Sequence, residues 1–499
     1  MIAPQDRRQI DRMTVEYPSG MTLVTFAERL TAPVAIAFDT SDGPHRGAVL
    51  IAEAGKHDTP PRIYGFDPDG TFFEVFPKRG QFPFGLIGHR SPIRGPLGGM
   101  VFAGGRIIFT HRDAQGMGAI SSVGYDDEPT TLVADLPAQG DYGVTDLAVR
   151  PTDGRIFFGV GSATNSGVVG LDNWAVGWVR KHPEFCDRPY VNYKLLGYRF
   201  DTQNPTAGWF SNDIAVTAPF QAFNSSNQTR IPKAANDKPS GAIYSISPGG
   251  GDVRVEAHGI RMPRGLAFNE LSALFFTNQG MELRGTRPVK DDPDALMRWI
   301  SGTWYGWPDF STDLYSIGDG RFQPPIAMII KTGYPELSFL ADHDASGLTS
   351  PAAFREQLLK SAFPSLSGAA KFDFVPSSGQ FPREMRGNAI VALSGDRAPF
   401  ASGGQKLVGP VGYKLMRVDP DKRQKYEFIT NTGGLPASKL PGGLVALERP
   451  VDAKFAPDGS LYILDMGQMS VRDGKEQIKP GSGRLFRLTV TPAATQPTS

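Results

Sequence analysis

Residues 258–310 read HGIRMPRGLAFNELSALFFTNQGMELRGTRPVKDDPDALMRWISGTWYGWPDF. Two short apolar runs, 265–268 and 273–277, flank a turn at 269–270, and this pattern predicts a β-hairpin. The polar stretch that follows is too long for a hairpin turn, and loops of this length in compact domains usually carry function. An aromatic turn at 304–308 closes the stretch and argues against disorder.

The same hairpin pattern recurs along the chain. A strand of the type x-Ala/Val-Phe is followed by one of the type Arg/Ser-Leu/Ile-Phe/Tyr, often through Asp-Gly or Gly-Gly. The copies are 33–55, 97–111, 144–161, 263–280, 372–396 and 450–467. Radial repetition of four-stranded β units makes a propeller. The sequence therefore predicts an all-β fold, a six-bladed β-propeller with long loop insertions, in preference to a β-sandwich, which would also show many short strands.

The repeats divide the chain into three parts. Residues 1–30 are an N-terminal extension, residues 31–490 are the propeller and residues 491–499 are a flexible tail. The extension contains MTLVTFAERL, which we expect to form a closing or covering strand. No linker separates two independent cores, so the sequence predicts one domain.

Long insertions interrupt the repeats. The segments 76–96, 164–240 and 281–369 are expected to build the walls of a site, because loops positioned by a rigid scaffold carry function. Inside the last segment, Ser350 and Pro351 precede AAFREQLLKSAF, which predicts a helix with serine at the N-cap and proline at the first helical position.

Composition excludes several classes of protein. The net charge of +1 gives no indication of nucleic acid or of an anionic membrane as partner. No apolar run approaches the length of a membrane span, and no apolar region follows the N-terminus, so we expect no signal peptide in this chain. The single cysteine, Cys186, precludes an intrachain disulfide and leaves the compartment open. No CxxCH is present, so we expect no fused cytochrome as electron acceptor in this chain.

Polar side chains stand at the ends of the predicted blade strands. They include five candidates for binding an acidic ligand, because guanidinium groups pair with carboxylates: Arg112, Arg261, Arg397, Arg449 and, beside the last, Asp452. The alternative for each is a local turn or a salt bridge between blades.

The proton-transfer and metal candidates are fewer. His111 is the best-placed histidine for a base, since its neutral form exists near pH 7, although a hydrogen-bonded structural histidine remains the alternative. Asp291, Asp292 and Asp294, with backbone carbonyls near Gly280, suit calcium, which prefers oxygen ligands; a solvated acidic loop is the alternative.

The segments GIRMPRGLAF, TNQGMELRGTRP, GTWYGWPDF, GRIIFTHRD, GVGSATNSGVVGLDN and ERPVDAKFAPDGSLYILDMG resemble the soluble quinoprotein sugar dehydrogenases, the glucose/sorbosone dehydrogenase family. The resemblance covers about residues 30–490. It implies a six-bladed propeller that uses pyrroloquinoline quinone (PQQ) and calcium to oxidise sugars or aldehydes. It also implies a histidine base, arginines and a lysine that hold the quinone, and a periplasmic or secreted location.

The residues match this family's pattern in part. The family's Arg-Asn before the fourth blade is Arg261-Met262, and its arginine before the last blade is Arg449, with Val451 at a second arginine position. The lysine position falls near Arg397.

The catalytic and calcium motifs also differ. The Asp-His before the third blade is Asp141-Tyr142, so a tyrosine stands where the base is expected, and a tyrosine with an unperturbed pKa of about 10 is a poor base near pH 7. The resemblance implies a calcium site made by Gly280, Met281, Asp294 and Tyr305. Ala295 replaces one acidic ligand of that motif.

These observations predict a quinoprotein-like dehydrogenase that oxidises an aldose, polyol or aldehyde with PQQ and calcium. Asp141, Tyr142 and His111 would lie near the transferred proton, and Arg112, Arg261, Arg397, Arg449 and Asp452 near the cofactor. Two alternatives remain: a calcium-dependent propeller hydrolase of the lactonase or esterase type, and a non-catalytic carbohydrate-binding propeller.

Overall fold

The computed structural model describes residues 9–55, 59–78, 93–207, 213–225, 232–329, 336–441, 444–472 and 474–491. Two strands precede the first blade: β1 Val15–Glu16 and β2 Met21–Leu30. Blade 1 contains β3 Pro33–Phe38, β4 Val49–Glu53, β5 Arg62–Phe66 and β6 Phe72–Phe76. Blade 2 contains β7 Met100–Ala103, β8 Arg106–Arg112, β9 Gly118–Val123 and β10 Thr130–Leu136.

Blade 3 is split by the first long insertion. Its strands are β11 Val144–Val149, β12 Ile156–Val160, β16 Ala242–Ile246 and β17 Arg254–His258. The insertion contains α1 Leu171–Val176, β13 Lys194–Leu195, β14 Phe200–Gln203 and β15 Ile214–Thr217. The short strand β21 Thr303–Trp304 pairs with β17 in parallel.

Blade 4 carries the second long insertion before its outer strand. Its strands are β18 Pro263–Phe268, β19 Leu274–Asn278, β20 Pro293–Arg298 and β23 Leu359–Ser365. Besides β21, the insertion contains a 3₁₀ turn Gly320–Phe322, α2 Ile326–Ile329, β22 Ala341–Asp342, a 3₁₀ turn Pro351–Phe354 and α3 Arg355–Leu358.

The last two blades complete the ring. Blade 5 contains β24 Ala369–Phe374, β25 Ala389–Leu393, β26 Lys414–Asp419 and β27 Gln424–Asn431, with β1 at its edge, and 3₁₀ turns Arg383–Met385, Thr432–Gly434 and Ala437–Lys439 lie beside it. Blade 6 contains β28 Pro450–Phe455, β29 Leu461–Asp465, β32 Gly483–Val490 and β2. A hairpin, β30 Met469–Arg472 and β31 Lys475–Ile478, separates β29 from β32.

The described residues thus form a six-bladed β-propeller, which confirms the fold predicted from the repeats. Each predicted hairpin supplies the two innermost strands of one blade, and successive inner strands contact one another around the ring. The stretch MTLVTFAERL forms β2, which pairs antiparallel with β32 and joins the N-terminal part of the chain to blade 6.

The two insertions pack together over blades 3 and 4. β13 pairs with β22, and the two segments share one buried cluster that includes Phe220, Trp304 and Trp307. The segment 76–96 is only partly described, because residues 79–92 lie outside the described residues, as does the tail from residue 492. Within the described part of the chain, no helix is long and apolar enough to cross a membrane.

The helix predicted after Ser350 is wrong in extent. Its first part forms the 3₁₀ turn and α3, but the helix ends at Leu358, and residues 359–365 form β23. Strand β23 pairs with β20, so the ladder of blade 4 overrides the local helical preference. The side chain of Ser350 makes no capping hydrogen bond.

Candidate functional site

Three arginines converge on the phenol oxygen of Tyr142. Arg261 Nη2 donates a short hydrogen bond to Tyr142 Oη, Arg284 Nη2 lies 3.1 Å from it and Arg397 Nη2 lies 3.4 Å from it. The guanidinium of Arg261 also stacks 4.8 Å from the centre of the Tyr142 ring. Tyr142 is 3% exposed, so this positive surrounding is only weakly screened by solvent.

Buried carboxylates hold these arginines in place. Glu282 accepts hydrogen bonds from Arg284 and Arg397, each at 2.5 Å, and lies 3.2 Å from Arg261. Asp141 pairs with Arg284 at 2.7 Å. Burial raises the pKa of Glu282, but the charges of Arg397, Arg284 and Arg261 outweigh it and hold that pKa well below its usual range.

The other atoms of the cluster come from the first insertion. Asp141 accepts hydrogen bonds from Asn173 at 2.9 Å and from Trp178 at 2.8 Å. Asp172, in α1, pairs closely with Arg284, and burial raises the pKa of Asp172 to about 6 although Arg284 lowers it. Asn165 accepts a hydrogen bond from Arg261 at 2.9 Å. The insertion therefore fixes the cluster from outside the ring of blades.

The propeller brings the cluster together from loops that enter or leave inner strands. Asp141 and Tyr142 precede β11, Arg261 precedes β18, Glu282 and Arg284 follow β19, and Arg397 follows β25. These positions belong to blades 3, 4 and 5, and they meet because inner strands of successive blades lie side by side.

The cluster forms part of the wall of a large cavity. The cavity has a volume of about 1370 Å³, and Tyr142, Asp141, Arg284 and Arg397 line it. Among the described residues, its lining contains nine lysines and arginines against three aspartates and glutamates, whereas the whole chain has a net charge of only +1. Positive charge is therefore concentrated in this cavity, which favours an anionic ligand.

Two arginines of the lining form no direct ion pair with a described residue. Arg112 Nε is buried without a hydrogen-bond partner, and Arg112 Nη2 reaches only the carbonyl of Gly140, at 3.4 Å. In the part of the chain that the structure describes, the side chain of Arg264 makes neither a hydrogen bond nor an ion pair. Burial lowers the pKa of both arginines. A buried guanidinium without a partner is unfavourable, and a bound anion would relieve it.

His111 lies in the same cavity wall with both ring nitrogens occupied. Its Nε2 lies 2.8 Å from Ser121 Oγ and its Nδ1 lies 2.8 Å from the carbonyl oxygen of Arg112. Burial lowers the pKa of His111, so the ring is neutral near pH 7. These contacts are typical of a hydrogen-bonded structural histidine. The role of His111 as a base stays a prediction.

Arg449 and Asp452 hold the scaffold together. Arg449 donates to the carbonyls of Ser394, Gly395 and Asp396 at 3.0, 3.1 and 2.8 Å. Asp452 accepts from the backbone N–H of Ile36 at 2.9 Å, which ties blade 6 to blade 1. Neither residue lines the large cavity, but Arg449 lines a smaller one together with Arg264 and Arg397, and the contact of Arg449 and Asp452 with a cofactor stays a prediction.

Side chains of the residues predicted to bind calcium make other contacts. Asp294 accepts hydrogen bonds from the N–H groups of Gly280 and Ala369 at 2.9 and 2.8 Å, and Met281 donates its N–H to Asp292 at 2.6 Å. The Tyr305 ring packs against Phe276 in the core. No group of three His, Cys, Asp or Glu residues in the described ranges could hold a metal. Calcium binding at Gly280, Met281, Asp294 and Tyr305 therefore stays a prediction.

The sequence did not identify Glu282 and Arg264 as site residues. Glu282 lies in the polar stretch after β19, where the sequence pattern indicated only arginines and aspartates as candidates. Arg264 lies inside β18, in a run that reads as a strand and gives no sign of function. A charged residue on an inner strand is the signal that could have identified Arg264, because that strand faces the channel.

No protein-family model matches the chain, and no curated protein matches it. Among solved structures, the holo form of the PQQ domain of a pyranose dehydrogenase from Coprinopsis cinerea is 14% identical, with a TM-score of 0.53, over 96% of this chain and 98% of that one. The calcium structure of a carbohydrate-active enzyme of family AA12 from Trichoderma reesei is 15% identical, with a TM-score of 0.51, over 97% and 99%. These likenesses show a shared fold.

Proposed function

We propose that the protein is a PQQ-dependent dehydrogenase that oxidises an aldose, polyol or aldehyde in the large cavity. The observation that carries the proposal is the convergence of Arg261, Arg284 and Arg397 on Tyr142 in the wall of a basic cavity. The fold shared with the PQQ domain of pyranose dehydrogenase supports the choice of cofactor, although fold alone does not determine function.

The residues that line the cavity fit PQQ, which is a planar tricarboxylate. Arg264 forms no hydrogen bond or ion pair through its side chain within the described part of the chain, and Arg397 Nη1 lies 3.8 Å from Glu476. Lys371, on the inner strand β24, lines the same wall. We assign Arg264 and Arg397 to the carboxylates and carbonyls of the cofactor, since guanidinium groups bind such oxygens in pairs, whereas the Lys371 ammonium already donates to the carbonyls of Val34 and Gly98.

When bound, PQQ would supply two-electron oxidation. Tyr142 is the residue that we assign to the substrate proton: in its phenolate form, its oxygen would accept the proton of the substrate hydroxyl and become the neutral phenol, and that oxygen is the acceptor of the cluster. Three guanidinium groups surround that oxygen and stabilise negative charge there. Glu282 and Asp141 keep the arginines oriented towards Tyr142. Calcium at Gly280, Met281, Asp294 and Tyr305 stays a prediction, and we assign no step to a metal.

A titration of the protein with PQQ tests the proposal. Trp178 lines the cavity, so quenching of tryptophan fluorescence reports binding, and dye reduction with a panel of aldoses and aldehydes reports turnover. We expect saturable binding that Arg264→Met weakens about tenfold or more, which corresponds to one lost charge-assisted contact. Arg383→Met, at an exposed position outside the cavity, should bind PQQ as the unmodified protein does.

Tyr142→Phe separates binding from chemistry. The variant should retain PQQ binding and reduce the dye about a hundredfold or more slowly, because it lacks the oxygen that takes the proton. Absence of saturable PQQ binding by the unmodified protein would refute the proposed function. Full turnover by Tyr142→Phe would refute the role of Tyr142.

A further inference from the structure

Arg112 marks a second anionic subsite in the cavity. Resting on the proposed function, we propose that the substrate is an acidic sugar of the uronic acid type and that Arg112 binds its carboxylate. Arg112, which the sequence placed with the cofactor ligands, is thereby assigned to the substrate.

The guanidinium of Arg112 is largely unpaired. Arg112 Nε is buried without a partner, and its one hydrogen bond, to Gly140 O, is long at 3.4 Å. No carboxylate forms an ion pair with Arg112 within the residues described. The nearby Asp113 is committed to its own turn, since Oδ1 accepts from the N–H groups of Gln115 and Met117, both at 2.9 Å.

Arg112 also lies close to the loop that carries Tyr142. A Cβ atom added at Gly143 would lie 3.5 Å from both Nε and Nη2 of Arg112, so the guanidinium lies against the loop 140–143 that carries Tyr142. A carboxylate bound at Arg112 would therefore hold the rest of a sugar beside the Tyr142 side of the cavity. That placement is the one that proton transfer to Tyr142 needs.

Arg112 belongs to a different blade from the arginines assigned to PQQ. Arg112 ends β8 in blade 2, whereas Arg264 lies in blade 4 and Arg397 follows β25 in blade 5. Around Arg112, the cavity lining also contains Arg94, whose backbone pairs with that of Arg112. Lys181 and Lys475, both exposed, add positive charge to the lining. A planar guanidinium matches a carboxylate by two parallel hydrogen bonds, which favours a uronate.

Calorimetric titration of the protein without cofactor tests the proposal directly. The probes are glucuronate, glucose and glucose 6-phosphate. We expect glucuronate to bind at least about tenfold more tightly than glucose, with an affinity that falls as salt rises. Arg112→Gln should remove this preference and leave the affinity for glucose unchanged. Arg383→Gln, at an exposed site outside the cavity, should keep the preference.

Three results would overturn the assignment. Equal binding of glucuronate and glucose would refute the proposal that the substrate is acidic. A preference for glucuronate that survives in Arg112→Gln would refute the role of Arg112. Tighter binding of glucose 6-phosphate than of glucuronate would show that the subsite binds a phosphate and not a carboxylate. An unchanged thermal unfolding midpoint and an unchanged PQQ titration show that Arg112→Gln is folded and that its cofactor site is intact. Arg112→Lys, which retains the charge but not the paired donors, should bind glucuronate with intermediate affinity.

Different measurements would refute the uronate subsite and the dehydrogenase function. A glucuronate preference without PQQ binding would refute the dehydrogenase and retain the anionic subsite. PQQ-dependent dye reduction with equal kcat/KM for glucose and glucuronate would retain the dehydrogenase and refute the subsite. If both hold, Arg112→Gln should raise KM for glucuronate with little change in kcat, because Arg112 binds the substrate away from the reacting carbon.

Discussion

The residues around Tyr142 form an arrangement that stability alone does not explain. Arg261, Arg284, Glu282 and the Asp141 carboxylate are buried together beside the partly exposed Arg397, and burying ion pairs is often no better for stability than burying apolar residues. The unpaired guanidinium of Arg112 adds a further unfavourable feature. Such features persist where function requires them, which is why we place the site around Tyr142.

Sequence reasoning found part of this site. Asp141, Tyr142, Arg261 and Arg397 were predicted from their positions at strand ends, and the structure brings them together. Their carboxylate partner Glu282 could not be found, because its contacts depend on how the insertion folds back over blade 4. The sequence likewise offered no means of telling a buried arginine with a partner from one without.

His258 is a single residue whose protonation is coupled to folding. It is 5% exposed, and burial lowers its pKa to about 4. Below the unfolded-state pKa of about 6.5, the unfolded chain takes up a proton that the folded protein excludes, so His258 lowers the free energy of unfolding as pH falls from about 6.5 to 4. We predict that His258→Phe gains on the order of 3 kcal/mol relative to the unmodified protein across that window. Urea unfolding at a series of pH values measures this.

The control for His258 is the ring that it contacts. Tyr190 lies 5.0 Å away, measured between ring centres, and Tyr190→Phe retains the ring while leaving His258 in place. The pH dependence of Tyr190→Phe should therefore run parallel to that of the unmodified protein. A parallel curve for His258→Phe would show that His258 is not excluded from protonation in the folded state.

At the scale of elements, the inner hairpins were predictable and the insertions were not. The hairpins carry a period-two apolar pattern and turn residues, which are local properties of the sequence. The helix expected over residues 351–363 shows the limit: its second half becomes β23 because β20 offers an unpaired edge, and that edge is a property of the whole blade.

The hairpin β30–β31 connects opposite sides of the propeller. It leaves blade 6 and packs against α1, which belongs to the insertion of blade 3. At Gly474 (φ +75°), an added Cβ would lie 2.9 Å from Val176 N and 3.0 Å from the carbonyl carbon of Ala175. We predict that Gly474→Ala lowers the free energy of unfolding and also weakens amide hydrogen-exchange protection in α1.

Gly481 provides the matched control for Gly474. It has nearly the same backbone conformation, with φ +68°, but an added Cβ would meet no atom within 4 Å. Both substitutions therefore carry the strain of a left-handed alanine, and the collision with α1 should cost Gly474→Ala about 1–3 kcal/mol more. Equal losses in urea unfolding, or unchanged exchange in α1, would show that the hairpin does not press on α1.

At the scale of the whole molecule, the ring is closed by the pairing of distant parts of the chain. β2 completes blade 6, whose other strands lie beyond residue 449. Phe26 of β2 is 1% exposed, and its ring centre lies 5.1 Å from that of Tyr462 in blade 6 and 6.1 Å from that of Phe66 in blade 1. Phe26 thus packs where the first and last blades meet.

Phe26→Ala tests how far the whole ring depends on this closure. We predict a loss of about 3–5 kcal/mol in the free energy of unfolding, because a fully buried ring is removed from the junction of two blades. Phe72 is the matched control: its ring lies 5.6 Å from that of Phe66, but it is 38% exposed on the outer strand of blade 1. Phe72→Ala should lose about 1 kcal/mol, since much of its ring is already in water. Equal losses in the two variants, measured by urea unfolding, would mean that the closing strand stabilises its own blade and not the ring.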